Sequence, residues 1–202
     1  MHIEEINKAR IFIYNVLSLL LVEEHVKQQS SLIIENLKLL EANAFDEDAA
    51  MAVQNILNYL AQKPENELYR SYQDLFLVPF GKHVSLSSSQ YYEQREAGAM
   101  LVKVRDILSK TKIRRDENSF KAPEDHYGFI FTLCSYLIGQ EMEQTIKEEL
   151  HKELFKTVIN PFVDQLSFSL MSSENEIYVN VGVLLDVFMN FERSFLEVAK
   201  VA

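Results

Sequence analysis

Between Ile177 and Phe195 apolar side chains return at steps of four and three residues: Ile177, Val181, Leu184, Phe188, Phe191 and Phe195. This period matches one stripe of an α-helix, whereas a strand repeats every second residue. The spacing therefore predicts a helix over 176–200 with its apolar face turned to a core. Little elsewhere interrupts helices. The 202 residues include five glycines and four prolines, and no strand-length alternation is closed by Asn-Gly or Asp-Gly. The expected fold class is all-α, a bundle of about eight or more helices.

The same period at Val53, Ile56, Leu57 and Leu60 predicts a helix over 46–62, with Asp46 as N-cap and Glu47 and Asp48 at the positive end of its dipole. Pro64 suits a first helical position and Pro79 a place just past an end, which brackets a helix over 64–77. Residues 87–110 read as one further helix, and Ile146, Leu150, Leu154 and Val158 mark another that Pro161 kinks or ends. The first forty residues read as two helices meeting near 28–31. Two stretches, 79–88 and 112–122, remain irregular. The second is polar, charged and long for a helix connection, so it is expected to form a boundary or hinge between two packed halves of a single domain over 1–202.

Composition removes several function classes. With 48% hydrophobic and 25% charged residues the chain is a folding one, and surface scaling gives about 70% of its area buried. The single cysteine, Cys134, rules out an intrachain disulfide and cysteine-rich zinc sites, and between apolar neighbours it reads as a small core side chain. A net charge of −10 disfavours nucleic acid and anionic bilayers and suits a basic or uncharged partner. The longest apolar run, 11–22, is interrupted by Asn15 and Ser18 and is too short to span a membrane. Glu4, Glu5, Glu23 and Glu24 sit where a secretion signal would be basic or carry small residues, so the cytoplasm is the expected location. No HExxH, CxxC, GxSxG, P-loop or GxGxxG pattern occurs, so neither a metal nor a cofactor is expected. Arg114-Arg115 reads as a solvated pair in a charged loop.

Two clusters stand out. In Tyr72-Gln-Asp-Leu75-Phe76-Leu-Val-Pro79, helical spacing puts Tyr72, Leu75 and Phe76 on one face that opens at the proline; most aromatic helix ends of this kind are simply core. In Ala122-Pro123-Glu124-Asp125-His126-Tyr127-Gly128, Pro123 at the first helical position followed by two acids is a strong helix start. His126 in that first turn is expected to have a lowered proton affinity and a neutral ring that accepts one hydrogen bond and donates another. Whether that histidine is structural or functional the residues alone leave open. A hydrolase or nucleotide-binding protein built on Asp125 and His126 is the alternative, and a hydrolase would need Ser88 or Ser89 as its nucleophile.

These clusters, in this order and about fifty residues apart, resemble the TorD/DmsD/NarJ family of redox-enzyme maturation chaperones. The family pattern Tyr-x-x-Leu-Phe-x-x-Pro is matched by Tyr72, Leu75, Phe76 and Pro79; its Ser-x-Tyr helix start by Ser89 and Tyr91; and its Pro-x-Asp-His motif by Pro123, Glu124, Asp125 and His126. Residues 155–166 are similar to a later helix of the family. The resemblance implies a TorD-like helical chaperone, not an enzyme, that binds the N-terminal twin-arginine type signal of a molybdenum-containing oxidoreductase, touches its folded body, and holds it back until it matures. It further implies no cofactor beyond weak nucleotide binding, and a monomer or a domain-swapped dimer with 112–122 as hinge. By the same resemblance Tyr72, Leu75 and Phe76 give the groove its apolar shape and Pro79 and Pro123 its edges. Asp125 supplies charge or a hydrogen bond, His126 contacts the peptide backbone, and Ser89, Tyr91 and Glu124 belong to the same site.

Overall fold

The computed structural model of the protein describes residues 2–78, 83–146 and 149–201. Among them are eleven α-helices and no strand. The first three are α1 (Ile3–Leu21), α2 (Glu23–Gln28) and α3 (Ser30–Ala42), so the opening segment breaks at Val22 as well as at the expected joint, Gln29. At Val22 the backbone is extended and makes an elbow. Helix α4 (Glu47–Leu60) starts as its sequence foretells, with the Asp46 carboxylate accepting from the amides of Asp48 at 2.8 Å and Ala49 at 3.2 Å.

Proline placement differs from the expectation in a consistent way. Pro64 does not open α5 (Glu67–Tyr72), nor does Pro123 open α8 (Tyr127–Met142). In each case the proline carbonyl accepts from the amide three residues on, Glu67 or His126, closing one turn before the helix proper. At Pro123 the reason is competition from an isolated antiparallel bridge between Ser87 and His126, which holds His126 extended and makes it the N-cap. Helix α5 runs on into a wider π-helical turn, Gln73–Leu77.

The single helix expected over 87–110 is two, α6 (Ser88–Glu93) and α7 (Ala99–Ser109). Gln94 and Ala97 take left-handed backbone angles between them. The Glu93 carboxylate turns back to accept from the Ala99 amide, and a side chain at Gly98 would collide with it. Beyond α8, α9 (Leu150–Leu154) passes into a second π-helical turn, Phe155–Ile159; Pro161 follows, then α10 (Val163–Met171) and α11 (Glu176–Leu196). Ile146 lies before α9 and not within it.

One contiguous apolar cluster runs from Ile13 to Met189. Helix α1 packs chiefly on α8, and α11 on α4 and α10. Ile177, Val181, Leu184 and Phe188 are fully buried as the stripe requires, but the last turns depart from it: Phe191 is exposed while Glu192 and Arg193 are buried. Arg193 donates to Asn160 at 2.7 Å and to Asp164 at 2.9 Å, and Glu192 meets Arg10 of α1 at 2.5 Å. Polar partners, and not hydropathy, decide which face is inside there.

Helices α10 and α11 touch at Gly182, where a Cβ would lie 2.9 Å from that of Leu170 and 3.0 Å from the Met171 amide nitrogen. Gly182→Val is therefore expected to force these helices apart and to cost about 1–3 kcal/mol. Urea unfolding should show a lowered midpoint with an unchanged slope.

Candidate functional site

The turn from α5 into its π-helical extension forms one wall of a cleft of about 270 Å³. Tyr72 and Phe76 face it, with ring centroids 4.8 Å apart, and Phe76 packs edge-on against Tyr178 at 4.7 Å. The Tyr72 hydroxyl donates to the Leu21 carbonyl at 3.2 Å, which ties this wall to the end of α1. Burial, then the nearby Glu23 and Glu24 carboxylates, push the Tyr72 phenol well above its ordinary value. It stays a neutral hydroxyl.

Opposite stands the turn before α8. The Asp125 carboxylate is buried, at 1% exposure. Its Oδ2 accepts from the Ser87 hydroxyl at 2.6 Å, while Oδ1 has no hydrogen-bond partner among the described residues. Asp125 also forms no ion pair among them. The backbone around it is fixed by Ser88 N donating to the Asp125 carbonyl at 2.9 Å and Tyr127 N donating to that of Leu86 at 2.8 Å. The extended segment 84–87 thus lies beside the turn over 123–126 and holds the carboxylate at the cleft.

His126 beside it is half-buried, its ring edge-on to Phe120 at 5.4 Å. Its Nδ1 accepts from the Gly128 amide at 3.1 Å, so the proton of the neutral ring resides on Nε2. Burial, only partly offset by Asp125, brings the imidazole down to about 4. The ring accepts a hydrogen bond as expected from sequence, but its lowered proton affinity comes from burial, and the residue is the N-cap and not in the first turn.

A third wall comes from the Val22 elbow, which brings Glu23 and Glu24 to the cleft. Gly128 makes this approach possible, because a Cβ there would lie 2.5 Å from Val22 Cγ2. Glu96, accepting from Ser85 Oγ at 3.2 Å, adds a further carboxylate. Among the described residues, four carboxylates line the cleft against one lysine, Lys121, beside His83 and His126.

Of the residues singled out from sequence, Tyr72, Phe76, Pro123, Asp125 and His126 meet at the cleft. Leu75 does not. It lines a separate basin of about 690 Å³ across the π-helical turn, bordered by Glu67, Asp74, Glu174 and Glu176. As successive residues, Leu75 and Phe76 leave the turn in different directions and so border different hollows. Ser89 is fully buried and lines neither hollow. Tyr91 acts from below: its hydroxyl, pushed up to about 12 by burial, donates to the Ser85 carbonyl at 2.8 Å. Glu124 turns away to Arg105 at 2.9 Å and Arg115 at 3.6 Å, and although burial alone would raise it, its own backbone amide and then these arginines hold its carboxyl below the usual range. Pro79 lies outside the described residues.

Of the pair expected to be solvated, Arg114 is exposed but Arg115 is largely covered. Arg115 donates to the carbonyls of Phe120, Lys121 and Ala122 at 3.3, 3.1 and 2.9 Å, and Arg114 to those of Leu108, Thr111 and Ile113 at 3.0, 2.9 and 2.6 Å. Arg114 thus ties the 112–122 link to the end of α7, and Arg115 folds the link back on itself. Asp125, His126 and a serine do not form a hydrolytic relay. Asp125 takes the Ser87 hydroxyl directly, His126 Nδ1 is occupied by a backbone amide, and Ser88 and Ser89 are fully buried.

Sequence reasoning missed Glu23, Glu24, Ser87 and Glu96. The signal for the first two was present, since a charged pair directly after an apolar helix marks an elbow, but only folding brings it to Asp125. No helix among the described residues is long and apolar enough to cross a membrane. No curated protein matches the chain. Residues 42–167, which include both sequence clusters and most of the cleft, match the model of the nitrate reductase delta subunit family. With that match over more than half its length, and with its all-α bundle, the chain belongs to the nitrate reductase delta subunit family, the TorD/NarJ type of redox-enzyme maturation chaperones.

Proposed function

We propose that the protein is a cytoplasmic, non-catalytic chaperone that captures the N-terminal, arginine-bearing signal of a molybdenum-containing oxidoreductase in the cleft between Tyr72 and Asp125. The observation that carries this reading is the buried Asp125 carboxylate, with one oxygen unpartnered and no cation of its own among the described residues. An isolated buried charge is costly, and a cationic group from a partner relieves it. The aromatic wall of Tyr72 and Phe76 suits the methylene stem of an arginine or a neighbouring apolar side chain. His126 Nε2–H is placed to donate to a main-chain carbonyl of the bound segment. A hollow of about 270 Å³ admits side chains and not a whole helix, whose diameter is about 10–12 Å. The signal therefore lies over the mouth and inserts a few residues. Four lining carboxylates oppose the nucleotide alternative by repelling phosphate.

Isothermal titration with a synthetic peptide of Arg-Arg followed by an apolar stretch tests this. Asp125→Asn is expected to weaken binding about 10- to 100-fold, the loss of one charge-assisted hydrogen bond. His126→Ala should weaken it less and lower stability by about 1 kcal/mol through the lost cap. Unchanged affinity in both folded variants would sink the site assignment.

A further inference from the structure

Glu23, Glu96 and Glu24 enter the cleft on different terms. Glu23 accepts from the Tyr69 hydroxyl at 3.0 Å and Glu96 from Ser85. Glu24 is half-buried, lines the cleft, and is engaged by no hydrogen bond or ion pair among the described residues. It stands on the elbow that Gly128 admits against the start of α8, the same helix start that Asp125 immediately precedes. Asp125, at 1% exposure and with Oδ1 unpartnered, is the independent sign that this acidic hollow awaits a ligand. A space of about 270 Å³ is roughly 8 Å across if taken as a sphere, which lets one planar cation reach both walls.

We propose that Glu24 is the specificity-determining residue of the cleft, forming with Asp125 a two-carboxylate receptor that reads a guanidinium and discriminates against an ammonium. The reason is geometric. A guanidinium carries five N–H donors spread along the edges of a plane and can bond carboxylates on two sides at once, whereas an ammonium is a compact, strongly hydrated point charge. Ser87 holds Oδ2 and leaves Oδ1 without a partner for the ligand to engage; Glu24 meets the other edge. Tyr72, which lines the same cleft, offers a neutral aromatic surface to the flat cation.

This inference rests on the peptide-capture reading, and its test separates the two. Wild type, Glu24→Gln, Glu24→Asp and Asp125→Asn are titrated with the Arg-Arg peptide and with its Lys-Lys counterpart, each variant being checked for unchanged helicity and melting. Wild type should prefer arginine about tenfold or more. Glu24→Gln should lose about tenfold for the arginine peptide and little for the lysine peptide, so that the preference collapses. Glu24→Asp should recover part of it, and Asp125→Asn should weaken both peptides. If Glu24→Gln keeps the wild-type preference, or if wild type binds the two peptides equally, the inference is overturned while capture stands. If wild type binds neither peptide, the capture reading falls and takes the inference with it.

Discussion

Arg10→Ala should remove about 3–5 kcal/mol of folding stability, the usual result of stranding one member of a buried ion pair. Arg10 is 3% exposed and Glu192 fully buried. The guanidinium meets both carboxylate oxygens, Nε to Oε1 at 2.5 Å and Nη2 to Oε2 at 2.9 Å, while Nη1 donates to Asn7 at 2.7 Å and the Phe195 ring stacks 4.2 Å away. Tyr14 donates to the same carboxylate at 2.8 Å. Burial would raise the Glu192 carboxyl, but Arg10 and His151 bring it down to about 2. In the wild type this carboxylate stabilises the fold above its unfolded value near 4.5 and the contribution is lost as pH falls toward 2. In Arg10→Ala burial loses its main opponent and the carboxyl rises. The slope should then reverse, with the variant more stable near pH 5 than near pH 7, as urea unfolding at the two values would show. An apolar double variant, Arg10→Met with Glu192→Met, should recover part of the loss, because no charge is left stranded.

The cleft has a pH signature of its own. His126 stands at about 4 in the folded chain against 6.5 when free, a difference of about 3 kcal/mol by linkage. Because the folded value is depressed, the unfolded chain takes up the proton first as pH falls. Stability is therefore complete above about 6.5 and declines down to about 4. Protonation also destroys the acceptor at Nδ1 that caps α8. His126→Asn keeps a side-chain acceptor for the Gly128 amide and should flatten stability between these pH values. A melting series from pH 4 to 7 on wild type and variant checks this; equal slopes would place the acid sensitivity elsewhere.

What the sequence made legible follows from how local the cause is. Helical period and the Asp46 cap depend on a few neighbouring residues, and each is seen in the fold; the low proton affinity of His126 was expected from a local cause and arises from burial instead. Pro64 and Pro123 misled because either a first helical position or a preceding turn satisfies a proline, and bridging by Ser87, distant in sequence, decides the second case. The break over 94–98 depends on the Glu93 side chain folding back on the backbone, which hydrophobic spacing does not encode. Leu75 and Phe76 were read on one face, but as successive residues they point apart and border two hollows. Arg10 escaped notice because its partner lies 182 residues away. Of the site, the two motif walls were readable and the acidic elbow was not, since its membership depends on packing between α1 and α8.

Gly128 gives that packing an uncommon responsibility. The Val22 side chain occupies the place a Cβ would take there, so the gauge of the cleft mouth is set by an omitted methyl group and not by any residue that lines it. Selectivity can therefore be retuned from behind. A bulkier residue at either member of the Val22–Gly128 contact would move Glu24 away from Asp125 with every recognition group still in place, and a chaperone so altered would keep its chemistry and lose its grip.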